Sequence, residues 1–394
     1  MTNLPQGWEW KSLGEICFIT DGTHKTPNYI ETGIPFLSVK NISKGFFDLS
    51  DVKYISLEEH NKLIKRAKPE FEDILICRIG TLGKAIKISL EFEFSIFVSL
   101  GLLKPKVKII SDYLVYFLNS YFIEGWINDN KVGGGTHTAK LNLNILEKCP
   151  IALPPLKEQE RIVGILDESF AKIDENIKIL EQDLLNLDEL MQSALQKAFN
   201  PLKDNAKENY KLPQSWEWKS LEEISENISA GGDKPKNCTE SKTAKNQIPV
   251  YANGVNNNGL VGYTDKATII KPSLTISARG TIGFVCIRKE PYFPIVRLIS
   301  LIPCENILCL HYLYFCLNFF IAKGEGSSIP QLTIPKFKSL QIPLPPLKEQ
   351  EQIASHLDEL SSHVKNLKQN YQAQIKDLQE LKNSLLDKAF KGNL

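Results

Sequence analysis

The chain has 394 residues, with 47 Lys+Arg against 46 Asp+Glu, a formal net charge of +1 and 42% hydrophobic residues. That length and apolar fraction suit two or more domains with ordinary buried cores, and they exclude a disordered chain, a collagen-like chain or a small disulfide scaffold. No run approaches about 18 uncharged apolar residues, the opening MTNLPQGWEWK has no apolar signal core, and none of the eight Cys forms a CxxC pair, so a soluble cytoplasmic protein with reduced thiols is expected.

The first predicted element is a globular block, residues 1–153. DILICRIGTLGKAIKI and FSIFVSLGLLKPKVKII are short apolar or β-branched runs broken by Gly and Pro, which predicts strands with turns, and DYLVYFLNSYFIEGWI predicts an amphipathic helix. Pro154 and Pro155 then open a long helix over 154–200. Its apolar positions Val163, Leu166, Phe170, Ile173, Ile177, Leu180, Leu184, Leu187 and Met191 alternate spacings of 3 and 4, a heptad stripe. About 40 residues at ~1.5 Å each make a rod of roughly 60 Å. Asn200-Pro201 stops the helix, and 201–211 is a polar linker. A second globular block, 212–344, repeats the texture of the first in ATIIKPSLTISARGTIGFVCI and the helical LHYLYFCLNFFIAKG. A second heptad helix, 345–394, closes the chain, with a slip of register between Tyr371 and Leu381.

The chain is a duplication. LPQGWEWKSLGEI at 4–16 returns as LPQSWEWKSLEEI at 212–224, and LPPLKEQE at 153–160 returns at 344–351. LQKAF at 195–199 returns as LDKAF at 386–390, and IGTLG at 79–83 is matched by RGTIG at 279–283. The first offset is 208 and those of the helix motifs are 191, so each half is a variable block followed by a block of fixed length. A stripe as narrow as this needs a partner helix, either the other copy in the same chain lying antiparallel or a second molecule. The predicted fold class is α+β: two mixed α/β globular domains joined by two long helices in an antiparallel coiled coil, with a pseudo-twofold internal duplication.

No catalytic set is visible. The nucleotide and zinc-protease motifs are absent, and Gly133–Gly135 lies before THT rather than between a strand and a helix. Asp233 with Glu240 and Lys242 sits in an unpatterned polar loop, and Cys304, Cys309, His311 and Cys316 miss the usual zinc spacing in what reads as a packed helix, so no metal site is assigned. Charge is more informative. The first block has 18 basic and 17 acidic residues and the second 14 and 10, whereas the first helix has 5 and 10. The globular ends are therefore basic relative to the first helix, as phosphate contact requires. DGTHKTP, CRIGTLGK and KVGGGTHTAK in the first block, and AGGDKPK, YANGVNNNG, ARGTIG and KGEGSSIPQ in the second, set Lys, Arg, Thr, His, Asn and Gln beside glycines. Such side chains bond phosphates and purine edges, so double-stranded DNA is the expected ligand.

Two copies of LP-x-x-W-E-W-K-S-L-x-E-I, the RGTIG turn, LPPLKEQE and a long heptad helix, in that order and over essentially the whole chain, resemble the specificity subunit of type I restriction–modification systems. The resemblance implies that each variable block is a target-recognition domain reading one half of a bipartite site. It implies that the helices space the halves and dock two methyltransferase subunits, to which restriction/translocase subunits join. S-adenosylmethionine, ATP and Mg²⁺ would then act on the partners, with no cofactor or catalytic residue on this chain. Because the polar loops differ between halves, the target is expected to be asymmetric and interrupted.

The residues expected to contact DNA in the first domain are Lys25, Arg78, Lys84, Lys131 and Lys140, with Thr81, Thr136 and His137 as shorter-range donors. In the second they are Lys234, Lys236, Asn256, Asn257, Arg279, Lys323, Ser328 and Gln331. Ile79 stands opposite Arg279, so the arginine of the glycine turn is shifted by one position in the first half. Trp8, Trp10, Trp216 and Trp218 are read as core or partner-docking anchors. A stand-alone DNA enzyme with an unrecognised site, or a silent copy without DNA function, would differ from this reading in whether DNA is modified and whether a partner is bound.

Overall fold

Ile74–Cys77 is buried at all four positions, which a strand achieves only between two covering layers. The computed structural model describes residues 4–134, 139–199, 213–321 and 332–394, with the backbone of a short strand at Gly324–Glu325. They fall into two units, Met1–Leu180 with Ala373–Leu394, and Glu181–Gln372.

In the first unit Ile74–Cys77 is a central strand of an antiparallel four-stranded sheet, ordered Cys17–Asp21, Leu100–Pro105, Ile74–Cys77, Ala85–Lys87. Successive side chains of a strand face opposite ways. Ile74 and Ile76 accordingly join Tyr113, Leu114 and Phe117 of the helix Ser111–Leu118 in one core, while Leu75 joins Leu37, Ile42 and Phe94 in another. A three-stranded sheet, Lys53–Ile55, Ile34–Leu37, Ser95–Ile96, forms the outer layer.

The second unit repeats this plan. Its four-stranded sheet is ordered Ser225–Ala230, Ile299–Pro303, Ser273–Ile276, Val285–Arg288, and its three-stranded sheet Leu260–Thr264, Ile248–Tyr251, Phe293–Pro294. Leu274 and Ile276 face Tyr312 and Leu313 of the helix Leu310–Phe320, as their counterparts do. The opposite face mixes a small apolar cluster of Ile269, Tyr292 and Ile302 with buried polar groups: the Ser273 hydroxyl lies 2.9 Å from the Tyr292 hydroxyl, and Arg288 Nε donates to Thr275 Oγ1 at 3.0 Å.

The repeated motifs close each domain at the start of its long helix. The WEW strand Glu9–Ser12 pairs with Pro150–Leu153, and Glu217–Ser220 pairs with Gln341–Leu344. The next turn is capped reciprocally, with Ser12 N donating to Glu15 Oε2 at 2.6 Å and Ser220 N to Glu223 Oε2 at 2.7 Å. The glutamine of each LPPLKEQE is buried. Gln159 accepts from Ile110 N at 2.9 Å and donates to Pro154 O at 2.8 Å, and Gln350 likewise accepts from Cys309 N and donates to Pro345 O.

The long helices are Leu156–Phe199 and Leu347–Phe390, the second unbroken through the slip of register at Tyr371–Leu381. Within each unit, segments of both run antiparallel. In the first unit Arg161 Nη1 donates to Leu394 O at 3.3 Å and Lys382 Nζ pairs with Asp174 at 2.7 Å, so the partner residue number falls as the other rises. In the second, Lys368 pairs with Asp188, and Leu195 and Phe199 share a core with Ala354 and Leu357. The heptad stripe is therefore partnered within the chain. The two LxKAF motifs end in anchors: the Phe390 ring lies 4.9 Å from Phe117 in the first unit, and Phe199 lies 5.8 Å from Tyr312 in the second.

Candidate nucleic-acid interface

In the first domain the RIGTLGK segment turns on Gly80 and Gly83, both at φ +81°. A Cβ on Gly83 would stand 2.4 Å from Ile127 Cδ1, so a larger residue there would have to hold a strained backbone and displace the Ile127 side chain of the helix Tyr121–Asn130. The chain returns beside it: Val132 N donates to Lys140 O at 2.9 Å, and Lys140 bridges to Ile79. Two loops about 50 positions apart in sequence thus meet. Thr81, Lys84 and Lys131 line one open cleft of about 510 Å³ with Asn119, Ser120 and Asn128. Lys140 is exposed beside it, whereas Thr136 and His137 lie outside the described residues.

Arg78 corrects the sequence expectation. It does not reach outward but is 7% exposed, pairing with Asp21 and donating from Nε to Leu141 O at 2.9 Å. Space and charge both explain the inward turn. A Cβ on Gly101 would meet Arg78 Cδ at 2.9 Å, so the glycine leaves room for the arginine stem, and Asp21 supplies the counter-charge. By strand register Asp21, Arg78 and Gly101 correspond to Ala230, Ala278 and Ile299, so the second domain fills the same site with hydrocarbon.

Asp21 holds more than Arg78. Burial pushes its carboxyl up, but hydrogen bonds from Arg66 and Arg78 bring it below the ordinary aspartate value. Arg66 donates through Nη2 to the carboxylate and through Nε to Asp21 O at 3.2 Å, and its side chain is 54% exposed. His24 Nε2 lies 3.1 Å from the same carboxylate and Lys25 is exposed next to it, its N–H bonded to Thr23 Oγ1. Sequence reading missed Arg66. The run Lys62, Lys65, Arg66, Lys68 was the available signal, but it lies 45 positions from its acid.

In the second domain Asn253 is the tie. Its Oδ1 accepts from Ala278 N at 2.8 Å and its Nδ2 donates to Val296 O at 2.7 Å, joining the ARGTIG turn to the loop before Ile299–Pro303. Arg288, 3.5 Å from the Tyr251 ring centre, donates to Asn258 O and holds the Asn-rich loop, where Asn257 and Asn258 have φ of +48° and +52°. Arg279, Asn256 and Asn257 are exposed on these loops. Lys234 and Lys236 are exposed beyond Gly232, which bridges to Ile295. Arg297, exposed with φ +61°, joins the same set and was not legible in the sequence. Lys323, Ser328 and Gln331 lie outside the described residues.

The four tryptophans are half-buried against their own domains, with Trp10 5.5 Å from Phe122 and Trp218 6.4 Å from Phe320. Among the described residues no three His, Cys, Asp or Glu side chains stand together to hold a metal ion, and no helix is long and apolar enough to cross a membrane. His311 of the Cys/His cluster instead pairs with Asp358 at 2.5 Å.

The family described as type I restriction modification DNA specificity domain matches this chain twice, over residues 5–182 and 213–377. The chain belongs to that family. Type I specificity subunit S.MpnORF507P of Mycoplasma pneumoniae is 31% identical over 68% of this chain and 69% of its own. The type I restriction enzyme StySPI specificity subunit of Salmonella potsdam is 24% identical over 99% of this chain and 90% of its own. A chain solved in work on complex assembly and conformational transition of the type I R-M system has the same fold, with TM-score 0.82 and 21% identity over 100% of both chains. As a type I specificity subunit, the chain supplies DNA sequence specificity and is not itself the enzyme.

Proposed function

We propose that this type I specificity subunit reads an asymmetric, two-part DNA target, one part with the target-recognition domain at 1–153 and the other with that at 212–344. The helical blocks 154–200 and 345–394, with 201–211 linking the halves, bind two methyltransferase subunits, to which restriction/translocase subunits join. S-adenosylmethionine, ATP and Mg²⁺ belong to those partners, and the complex works in the cytoplasm. The observation that carries this reading is the twofold family match, each copy spanning one globular domain and much of the helix after it, with basic, glycine-hinged loops that differ between the two domains.

Lys25, Thr81, Lys84, Lys131 and Lys140 form the reading surface of the first domain, and Thr136 and His137, which fall between Lys131 and Lys140 in the sequence, contribute to it. Lys234, Lys236, Asn256, Asn257 and Arg279 form that of the second, with Lys323, Ser328 and Gln331. Trp8, Trp10, Trp216 and Trp218 brace the motifs that face the partners. Duplex-DNA binding by the full chain tests the surface. Arg279→Ala and Lys234→Ala should each weaken binding by roughly 10-fold while the thermal unfolding curve stays put. Unchanged affinity in both variants would remove these residues from the interface.

A further inference from the structure

Arg66 is built differently from the other exposed cations of the first domain. Its Nε and one Nη2 hydrogen are taken by Asp21, which is 1% exposed and held from the far side by Arg78. The guanidinium is therefore fixed in direction while more than half of the side chain remains in solvent. Its free edge presents two parallel N–H donors, the pattern that matches the O6 and N7 acceptors of guanine in the major groove. A phosphate contact needs no such fixing, since a point charge on a mobile side chain serves it. Backbone contact is served by the neighbours: Lys25 is exposed, and Lys65 has no acidic partner among the described residues.

Resting on the DNA-reading function above, we propose that Arg66 reads a guanine in the part of the target bound by the first domain, with Asp21 as its positioning residue. The second domain has Ala230 and Ala278 at the positions of Asp21 and Arg78, so this mode of reading belongs to the first domain alone.

The test is selection of duplex DNA from a random-sequence pool by the full-length chain, wild type against Arg66→Ala and Arg66→Lys. Wild type should enrich one block containing an invariant guanine. Arg66→Ala should lose the preference at that position alone and bind the wild-type sequence roughly 10- to 100-fold less tightly. Arg66→Lys should fail to restore it, because a lysine has no planar fork. Asp21→Asn should blunt the same preference while the other positions of the first block and all of the second keep theirs, a pattern that mere loss of first-domain stability does not produce. An unchanged sequence preference in Arg66→Ala, or an equal loss at every position, would overturn the proposal. A wild-type chain that enriches no sequence would overturn the DNA-reading function itself, and this proposal with it.

Discussion

Asp21 shows how one residue decides whether an arginine faces the core or the solvent. Two guanidiniums converge on its carboxylate, one buried and one exposed. Removing one partner of a buried pair leaves an uncompensated charge, which costs about 3–5 kcal/mol. Asp21→Ala should lower the urea midpoint accordingly. The triple variant Asp21→Ala, Arg78→Ala, Gly101→Ile copies the second domain and should regain most of that loss, because a packed hydrocarbon site replaces a buried ion pair at little cost. The pH dependence has a definite sign. The Asp21 carboxyl is held below its ordinary value, so its contribution is complete above about pH 4 and is lost as pH falls through the depressed value. The gap between wild type and Asp21→Asn, read from urea midpoints, should therefore be widest near neutrality and close in acid. A gap that widened in acid would contradict the assignment.

Among the elements, what repeats along the chain was legible and what pairs across it was not. The heptad stripe, the strand-forming apolar runs and the helix starts at the double prolines are local periodicities, so the sequence displays them directly. The role of Gln159 is not local, since the N–H it accepts from lies 49 positions earlier. Gln159→Ala should destabilise by about 1–3 kcal/mol, because the buried Ile110 N–H loses its acceptor. The LxKAF motifs make the same point. LQKAF belongs by repeat to the first half, yet Phe199 sits in the core of the second domain, and Phe390 sits in that of the first. Hydrogen exchange should separate the two. Phe199→Ala, a loss of about 3–5 kcal/mol of packing, should speed exchange in the helix Leu310–Phe320 and spare Ser111–Leu118, and Phe390→Ala should do the reverse. Equal effects on both helices from either variant would refute the pairing.

For the molecule as a whole, two domains share one scaffold and differ in how their reading loops are supported. The first carries an ion-paired corner and a large apolar outer core; the second carries an Asn-tied corner and a smaller outer cluster in which Tyr251 and Tyr292 pack with Ile269 and Ile302 beside buried Arg288 and Ser273. Sequence reading found most of the loops but set Arg78 on the surface and missed Arg66, Asn253 and Arg297, because each is placed by a partner from a distant segment. Different loops on a common frame should recognise different sequences, and phosphate contacts should make binding weaken steeply with salt. The direct test is methylation sequencing of DNA from cells that express the chain together with the methyltransferase subunits proposed to bind it, compared with cells in which the chain is deleted. Deletion should abolish methylation at a single motif made of two dissimilar blocks separated by a gap of fixed length and free sequence. Methylation that persists without the chain, or a motif that is continuous or palindromic, would contradict the account.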